Sequence, residues 1–285
     1  MVGIGDDCAA VRLGQKGLCL LTTDTLLDGT HFQLRHCTAR EVGRKAVACG
    51  LSDIASMGCK ATLALVSIAF PRFTKMGFAK ELFRGMQDMA TKYGVTIVGG
   101  DTVSGKGPLC INVTVLGMTE GLHPLLRSGA RPGDAIMVTG TLGGSILGRH
   151  LSFEPRLAEG LYLNKNFPVH SMIDISDGLS IDLGHILEES QVGAVLYQET
   201  IPISQAAYRL ARTTRLSPLH HALTDGEDYE LLFTLGEPSA RRLLEKNPIK
   251  VLITRIGHIR KQKGLFLQGK DGRLRCMKPQ GYEHR

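Results

Sequence analysis

The stretch Glu120-Gly-Leu-His-Pro-Leu-Leu-Arg-Ser-Gly-Ala-Arg-Pro-Gly-Asp134 divides the sequence. It combines glycine, proline and charged residues, a composition typical of a connection between domains. Strand-like and helix-like segments alternate on both sides of it. The sequence therefore predicts an α+β protein with two domains, residues 1–122 and 123–285.

The segments around this stretch follow from periodicity and from their end signals. Thr38 is a good N-cap residue and Gly94 a good C′ residue, so they delimit two helices. In the first domain we predict strands at 8–13, 17–23, 61–70, 95–98 and 109–118 and helices at 38–57 and 75–93. In the second we predict strands at 135–139, 194–201, 229–235 and 251–259, a helix at 178–190 and a hairpin over 264–277. The glycine-rich stretches, Gly99-Gly100 included, are expected in loops.

The composition narrows the class of protein. With 43% hydrophobic and 21% charged residues, the 285-residue chain is neither disordered nor fibrous. The net charge of +7 suggests an anionic partner. The basic residues are dispersed and lack aromatic interleaving, which disfavours nucleic acid. The longest apolar run, Ala61–Phe70, is too short to cross a membrane. Seven cysteines without a C-x-x-C motif favour reduced thiols in the cytoplasm.

Acidic residues cluster in short motifs with glycine, serine or threonine. Each motif alone reads as a turn, but carboxylates beside hydroxyls also suit Mg²⁺, which commonly carries substrate phosphates. No Walker loop, kinase signature or dinucleotide fingerprint is present, so a bound nucleotide would depend on an aspartate–magnesium scheme. Eleven of the 27 acidic residues belong to these motifs: Asp6 and Asp7, Asp24 and Asp28, Asp53, Asp101, Asp174 and Asp177, and Asp225, Glu227 and Asp228.

Asp53 shares one face of the predicted 38–57 helix with Val42, Ala46, Cys49 and Met57. A carboxylate in an apolar stripe is costly unless it is paired or bound to metal. A buried salt bridge to a neighbouring basic residue of the same helix, Lys45 or Arg44, and a metal ion are both open.

Eight motifs, taken together and in order, resemble those of the thiamine-monophosphate kinases. The similarity spans residues 3 to 284, nearly the whole chain. The matching motifs are Gly3-Ile-Gly-Asp-Asp-Cys8, Thr22-Thr-Asp24 with His31-Phe32, Gly50-Leu-Ser-Asp53, Val98-Gly-Gly-Asp-Thr102, Arg127-Ser-Gly-Ala-Arg-Pro-Gly-Asp134, Val138-Thr-Gly-Thr141, Ile173-Asp-Ile-Ser-Asp-Gly-Leu179 and Gly226-Glu-Asp-Tyr-Glu-Leu231.

The resemblance implies the fold of the aminoimidazole ribonucleotide synthetase superfamily. In that fold an N-terminal α/β domain binds ATP and Mg²⁺ and contributes strands to the barrel of a homodimer. A C-terminal α+β sandwich domain completes the nucleotide and thiamine-phosphate site. The implied reaction converts ATP and thiamine monophosphate into ADP and thiamine diphosphate, with several Mg²⁺ ions as cofactors and no membrane or nucleic-acid partner.

The resemblance also assigns roles to residues, position by position. No general base is implied, because the attacking phosphate oxygen is already ionised near neutral pH. The implied magnesium ligands are Asp7, Thr22, Thr23, Asp24, Asp53, Asp101, Asp174 and Asp177. The implied ATP contacts are Tyr93, Gly100, Asp101, Arg127 and Ser176, and the implied substrate contacts are His31, Glu227 and Tyr282.

The chain departs from the family pattern in three places. Family members carry a longer segment before Gly3, so either the natural start lies upstream or an edge element is missing. The link between Arg156 and Ser171 is short, which removes part of a helical region. Asp225 stands where a glycine is commoner, which puts an extra carboxylate beside the expected thiamine site.

Two alternatives to the kinase are open. One is another ATP-dependent enzyme of the superfamily; selenophosphate synthetase lacks support because no reactive cysteine precedes Asp6. Aminoimidazole ribonucleotide synthetase is disfavoured by the motifs around Asp177 and Glu227. The other alternative is a shortened paralogue that binds thiamine phosphate or nucleotide as a sensor.

Overall fold

The computed structural model describes residues 1–3, 5–13, 17–246 and 249–282. Ile4 of the first motif, the predicted turn at 14–16 and the end of the family similarity at 284 lie outside the described residues. The chain forms two compact units, each discontinuous in sequence. The first comprises residues 1–55, 59–123 and 151–157, and the second comprises 56–58, 124–150 and 158–285. The structure combines helices with two sheets, in agreement with the predicted mixture of helices and strands.

The first unit contains a five-stranded sheet in the order β1-β2-β5-β3-β4. All neighbouring strands are antiparallel except β3 and β4, which are parallel and joined through a helix. Its elements are β1 (Ala9–Val11), β2 (Cys19–Leu27), α1 (Ala39–Ser56), β3 (Lys60–Pro71), α2 (Met76–Lys92), β4 (Thr96–Gly105) and β5 (Cys110–Met118).

Helix α1 begins as the sequence predicts. The Thr38 backbone N–H donates to Glu41 Oε2 at 2.8 Å, and the Glu41 N–H donates to Thr38 Oγ1 at 3.2 Å. This reciprocal pair is a capping box. Gly50 and Gly117 let α1 lie close to the sheet, because a Cβ on Gly50 would stand 2.7 Å from a Val115 methyl group.

Two of the acidic motifs lie inside strands and not in loops. Strand β2 continues through Thr22, Thr23 and Asp24 to Leu27, and β4 continues through Gly99, Gly100 and Asp101 to Gly105. The expectation of a glycine-rich loop after residue 98 was therefore wrong. A Cβ on Gly100 would overlap the Val66 carbonyl oxygen of β3, so glycine is what allows the two strands to pair here.

The sheet face opposite the side that packs on α1 is open in this chain. It carries the exposed side chains of Leu63 and Leu65, and nearly all of edge strand β4 is exposed, including Val98 and Val103. An exposed, partly apolar edge of this kind is a natural site for pairing with another strand.

The second unit contains a seven-stranded sheet in the order β12-β11-β8-β10-β6-β9-β7. Only the β8–β11 pair is parallel. The strands are β6 (Ala135–Thr139), β7 (Val169–Asp174), β8 (Gly193–Tyr197), β9 (Leu231–Leu235), β10 (Ile253–Arg260), β11 (Gly264–Gln268) and β12 (Leu274–Met277). The α-helices from residue 149 onward are α3 (Arg149–Ser152), α4 (Leu157–Asn166), α5 (Leu179–Glu189), α6 (Gln205–Thr214), α7 (Pro218–Thr224) and α8 (Glu237–Lys246).

Helix α5 supplies much of the core of this unit. Its apolar residues Leu179, Leu183 and Ile186 are fully buried in one cluster with side chains of the sheet such as Ile173 and Leu232. The predicted helix and C-terminal hairpin are confirmed. Strand β7 and helices α3, α4, α6, α7 and α8 were not predicted. Helix α4 occupies the link between Arg156 and Ser171 that was expected to lack part of its helical region.

In the described part of the chain, no helix is long and apolar enough to cross a membrane.

Candidate functional site

In the first unit, β2 and α1 bring together residues that are far apart in sequence. Thr22 Oγ1 donates a hydrogen bond to Asp53 Oδ2. Asp24 lies two residues further along the strand, so its side chain projects to the same side. A Cβ atom added to Gly50 of α1 would lie 3.6 Å from Asp24 Oδ2. Burial, and secondarily the charge of Asp7, raise the pKa of Asp24 to about 6. Three of the predicted magnesium-ligand carboxylates therefore gather beside α1.

Asp24 Oδ2 is buried and accepts no hydrogen bond from the residues that the structure describes. A buried carboxylate oxygen without a donor is costly unless a proton or a cation neutralises it. Carboxylates with a neighbouring threonine hydroxyl are the oxygen ligands that a hard divalent cation takes. The residues present therefore fit a Mg²⁺ site.

Arg44 and Lys45, the basic residues that precede Asp53 on α1, both contact segments outside the helix. The Arg44 guanidinium lies 2.7 Å from Glu154 Oε1 and donates to the Leu151 carbonyl oxygen at 3.2 Å. The Lys45 ammonium is buried and donates to the His31 carbonyl oxygen at 2.6 Å. In the same loop, His31 Nδ1 accepts the Leu27 N–H at 3.0 Å, which leaves Nε2 as the protonated nitrogen of a neutral ring.

Thr23 and Asp28 are placed away from the Asp24 carboxylate. Thr23 points to the open face of the sheet, where its hydroxyl lies 3.1 Å from Thr114 Oγ1. Asp28 Oδ1 accepts the Leu34 N–H at 3.1 Å, so this carboxylate stabilises a turn. The position of Thr23 follows from the alternation of side chains along a strand.

Asp101 and Gly100 lie on edge strand β4. The Asp101 side chain is exposed, and its Oδ1 accepts the Thr102 N–H at 2.8 Å. Gly100 pairs with Val66 of β3, and Asp101 pairs with Ser67.

Tyr93 lies at the C-terminal end of α2. Its hydroxyl donates to Glu154 Oε2 at 2.7 Å, and Lys92 Nζ lies 2.7 Å from the same oxygen. Burial raises the pKa of Glu154, but hydrogen bonds from Lys92 and Tyr93 and the charge of Arg44 outweigh it, so the net shift is downward. Glu154, which sequence analysis did not select, is thus the centre of a charged cluster. It also lines a cavity of about 320 Å³ between α1 and α2.

In the second unit, Asp174 is the last residue of β7, and Ser176 and Asp177 lie in the loop that follows it. Asp182 of α5 accepts the N–H groups of Asp177 at 3.1 Å and Gly178 at 3.0 Å. Burial, then the charges of Asp174 and Asp177, raise the pKa of Asp182 well above its usual range. Ligand atoms of Asp177, Asp182 and His185 lie within 4.8 Å of one another. Sequence analysis missed Asp182 and His185, which lie on α5, the helix that Asp177 precedes.

The C-terminal segment approaches the same loop. The Tyr282 N–H donates to the Asp177 carbonyl oxygen at 2.9 Å, and the Gln280 N–H donates to Ser180 Oγ at 2.9 Å. The predicted substrate contact at Tyr282 is therefore beside a predicted magnesium ligand. Arg127 is half-buried, and its carbonyl oxygen accepts a hydrogen bond from Ser190 Oγ at 3.3 Å.

The segment 225–230 binds the glycine turn after β6. Asp228 accepts the Gly143 N–H at 2.7 Å and the Ser145 hydroxyl, and Glu230 accepts the Thr139 hydroxyl at 2.6 Å. Arg149 forms an ion pair with Glu230 and donates to the Thr141 carbonyl oxygen at 2.7 Å. Burial raises the pKa of Asp228 to about 7, against hydrogen bonds from Ser145 and Gly143.

The Asp225 carboxylate also binds the glycine turn after β6. Its Oδ2 accepts the Gly144 N–H at 2.8 Å, and its Oδ1 lies 3.0 Å from His221 Nδ1. Glu227, between Asp225 and Asp228, has a positive φ of 63° and donates its N–H to the Ser176 carbonyl oxygen at 2.7 Å. The predicted ATP contact Ser176 and the predicted substrate contact Glu227 are therefore neighbours.

Comparison with known proteins agrees with the motifs. Residues 5–119 match the family described as AIR synthase related protein, N-terminal domain. Thiamine-monophosphate kinase of Rhodopirellula baltica is 42% identical, over 99% of this chain and 91% of the relative. That of Escherichia coli K12 is 36% identical, over 83% of this chain and 77% of the relative. A solved structure of AaThiL complexed with AMPPCP and TMP has a TM-score of 0.85 at 30% identity, covering 99% of this chain and 92% of that chain. The chain belongs to the family of thiamine-monophosphate kinases.

Proposed function

We propose that this protein transfers the γ-phosphoryl group of ATP to thiamine monophosphate, giving ADP and thiamine diphosphate. Relatives with this name match nearly the full chain, and the similar AaThiL structure holds AMPPCP and TMP. The observation that carries the proposal is the Thr22–Asp24–Asp53 cluster, in which a buried carboxylate oxygen of Asp24 accepts no hydrogen bond from the described residues. A Mg²⁺ site built from these residues suits an enzyme that brings the phosphates of two substrates together.

Two groups of residues would hold Mg²⁺. In the first unit, Asp7, Thr22, Asp24 and Asp53 lie beside α1, whereas Thr23 and Asp101 are exposed and would reach a bound ion from outside this cluster; in the second unit the residues are Asp174 and Asp177. When bound, Mg²⁺ supplies positive charge that offsets repulsion between the phosphate groups. The members of this set differ in exposure: Asp24 and Asp53 are half-buried and are fixed by β2 and α1, whereas Asp101 is exposed on β4.

The remaining roles concern alignment. The acceptor oxygen belongs to a phosphate monoester that is ionised near neutral pH, so transfer needs no general base. We assign Tyr93, Gly100, Asp101, Arg127 and Ser176 to ATP and His31, Glu227 and Tyr282 to thiamine monophosphate. Arg127 adds positive charge that favours close approach of ATP and thiamine monophosphate, which are both anions. Direct in-line transfer requires that the acceptor oxygen be aligned with the γ-phosphoryl group.

A homodimer fits the exposed edge of the first unit. Among the described residues, no strand pairs with the outer side of β4. Leu63 and Leu65 of β3 and Val98 and Val103 of β4 are exposed. Pairing with a second copy would cover this surface and satisfy the free backbone groups of the edge. We assign residues 1–122 to ATP and Mg²⁺ binding and dimer formation. Residues 123–285 complete the nucleotide and thiamine-phosphate site.

The test incubates purified full-length protein with Mg²⁺ and ATP and either thiamine monophosphate or free thiamine, and identifies the products by chromatography. We expect thiamine diphosphate from the monophosphate and none from free thiamine. Diphosphate from free thiamine would indicate a pyrophosphokinase. Binding of thiamine monophosphate without turnover would instead support the sensor, and neither binding nor turnover would refute both.

A further inference from the structure

The segment that carries Glu227 is held on both sides by two consecutive amides of one turn. The Gly143 N–H donates to Asp228 Oδ2 at 2.7 Å, and the Gly144 N–H donates to Asp225 Oδ2 at 2.8 Å. Both glycines have positive φ, and a Cβ on either would stand less than 3 Å from backbone atoms of α7 or α6. The turn is thus held rigidly by the packing of α6 and α7 against it, and Glu227 lies between Asp225 and Asp228, the two residues that bind it.

Glu227 needs such support because its backbone is strained. It has a φ of 63°, a region that side chains other than glycine, asparagine and aspartate rarely adopt. A Cβ on the preceding Gly226 would lie 2.6 Å from the Ser176 carbonyl oxygen. Strained conformations persist only where the surroundings fix them, so the contacts on either side of Glu227 determine where its carboxylate points.

The attachment through Asp225 reaches two further helices. His221 of α7 is buried, with Nδ1 3.0 Å from Asp225 Oδ1 and Nε2 2.8 Å from Oγ1 of Thr214, the last residue of α6. An ionised carboxylate only accepts hydrogen bonds, so Nδ1 of His221 carries the proton towards Asp225. The pair therefore ties the Glu227 segment to α7, to α6 and to the glycine turn.

We propose that Asp225, oriented by His221, is a positioning residue for Glu227 and thereby sets the affinity for thiamine monophosphate. The proposal rests on the proposed function. Asp225 acts through the backbone of the next two residues and not by touching the substrate. Because Asp228 keeps its own attachment to Gly143, loss of Asp225 loosens Glu227 without releasing the whole segment.

The second unit offers a matched control. Asp134 Oδ2 lies 2.8 Å from His170 Nδ1 and accepts the Arg131 N–H at 2.7 Å, so it is also a carboxylate shared between a histidine and a backbone amide. His170→Asn removes that pair as His221→Asn removes the other. If both pairs merely stabilise the fold, the two variants behave alike.

The experiment measures initial rates of thiamine diphosphate formation while each substrate is varied in turn, for the unaltered chain and for Asp225→Ala, Asp225→Asn, His221→Asn and His170→Asn. Thermal unfolding of each variant is recorded to identify the fraction folded. We expect Asp225→Ala to raise KM for thiamine monophosphate about tenfold, the effect of losing one hydrogen bond to a charged group. KM for ATP stays within about twofold.

Asparagine keeps the shape of Asp225 and an oxygen that accepts the Gly144 N–H. Asp225→Asn should therefore retain most of the affinity for thiamine monophosphate that Asp225→Ala loses. His221→Asn should give a KM for thiamine monophosphate between those of the unaltered chain and Asp225→Ala. His170→Asn leaves both KM values unchanged. Equal rises in both KM values for Asp225→Ala, or the same behaviour in His170→Asn, overturn the proposal.

Calorimetric binding of thiamine monophosphate separates this inference from the activity. If the unaltered chain binds thiamine monophosphate but forms no diphosphate, the kinase fails, and a tenfold weaker Kd in Asp225→Ala still supports the positioning role. If the unaltered chain does not bind thiamine monophosphate, both proposals fall.

Discussion

Gly43 of α1 and Leu82 of α2 touch backbone to backbone: a Cβ atom on Gly43 would overlap the Leu82 carbonyl oxygen. The contact is reciprocal, because a Cβ on Gly85 of α2 would overlap the carbonyl oxygen of Arg40 in α1. The two helices therefore cross without an intervening side chain. This crossing fixes α1, which carries Asp53 beside the Asp24 carboxylate.

Alanine at Gly43 or Gly85 should therefore force the helices apart. We expect each change to lower the free energy of unfolding by about 1–3 kcal/mol, as overpacking does. Gly77, near the start of α2, has open space around its Cβ position, so Gly77→Ala should raise the free energy of unfolding by up to about 1 kcal/mol. Urea denaturation of the three variants checks this, and equal stability of Gly43→Ala and Gly77→Ala would contradict the close crossing.

Asp24→Asn tests the fit of the acidic cluster to Mg²⁺. The change removes a buried charge, so without Mg²⁺ the variant should be at least as stable as the unaltered chain. Mg²⁺ should raise the Tm of the unaltered chain, because it binds only the folded state, and should raise that of Asp24→Asn much less. Turnover should fall by about a hundredfold or more. Thermal unfolding with and without Mg²⁺, together with the product assay, checks this. An equal Mg²⁺-induced shift in both proteins would show that Asp24 is not a ligand.

The sequence allowed the acidic motifs to be grouped because they recur beside glycine and hydroxyl residues. It also predicted that Asp53 shares a face with apolar residues of α1. Sequence alone could not show which carboxylates accept hydrogen bonds within the fold and so stabilise it. Asp228 and Glu230 resemble the other motif carboxylates in sequence, yet they bind Gly143, Ser145 and Thr139. Their partners lie about ninety residues away along the chain, and local patterns carry no information on such pairings.

The predicted elements failed where tertiary contacts override local signals. Gly99 and Gly100 indicate a loop, but they continue a strand because the close approach to Val66 requires glycine. Helices α6 and α8 were missed although their apolar residues face one side. They are short and rich in arginine or in residues typical of turns, so their stability depends on packing that the sequence does not display.

The buried Asp228 carboxyl should make stability depend on pH. Its folded-state pKa is about 7, above the usual value of 3.8 that applies when the chain is unfolded. The folded state therefore retains a proton that the unfolded state releases between these values. The retained proton therefore contributes to the free energy of unfolding. This contribution is complete below about pH 4 and is lost as the pH rises to about 7, above which this carboxyl no longer makes stability depend on pH. Asp228→Asn should remove that part of the slope, which amounts to at most about 4 kcal/mol in total. Urea denaturation from pH 4 to 8 measures it. If the free energy of unfolding depends on pH in the same way in the unaltered chain and in Asp228→Asn, a group other than Asp228 is responsible.

Asp101 offers the cleanest separation of catalysis from folding. Its side chain is exposed on β4, and its Oδ1 accepts the neighbouring Thr102 N–H, a bond that asparagine retains. We therefore expect Asp101→Asn to change the free energy of unfolding by less than about 0.5 kcal/mol. Thiamine diphosphate formation should nevertheless fall by about a hundredfold, because an amide oxygen is a much weaker magnesium ligand than a carboxylate. Asp271→Asn, at another exposed aspartate, is the control and should retain full activity. Near-normal turnover in Asp101→Asn would remove Asp101 from the proposed magnesium set.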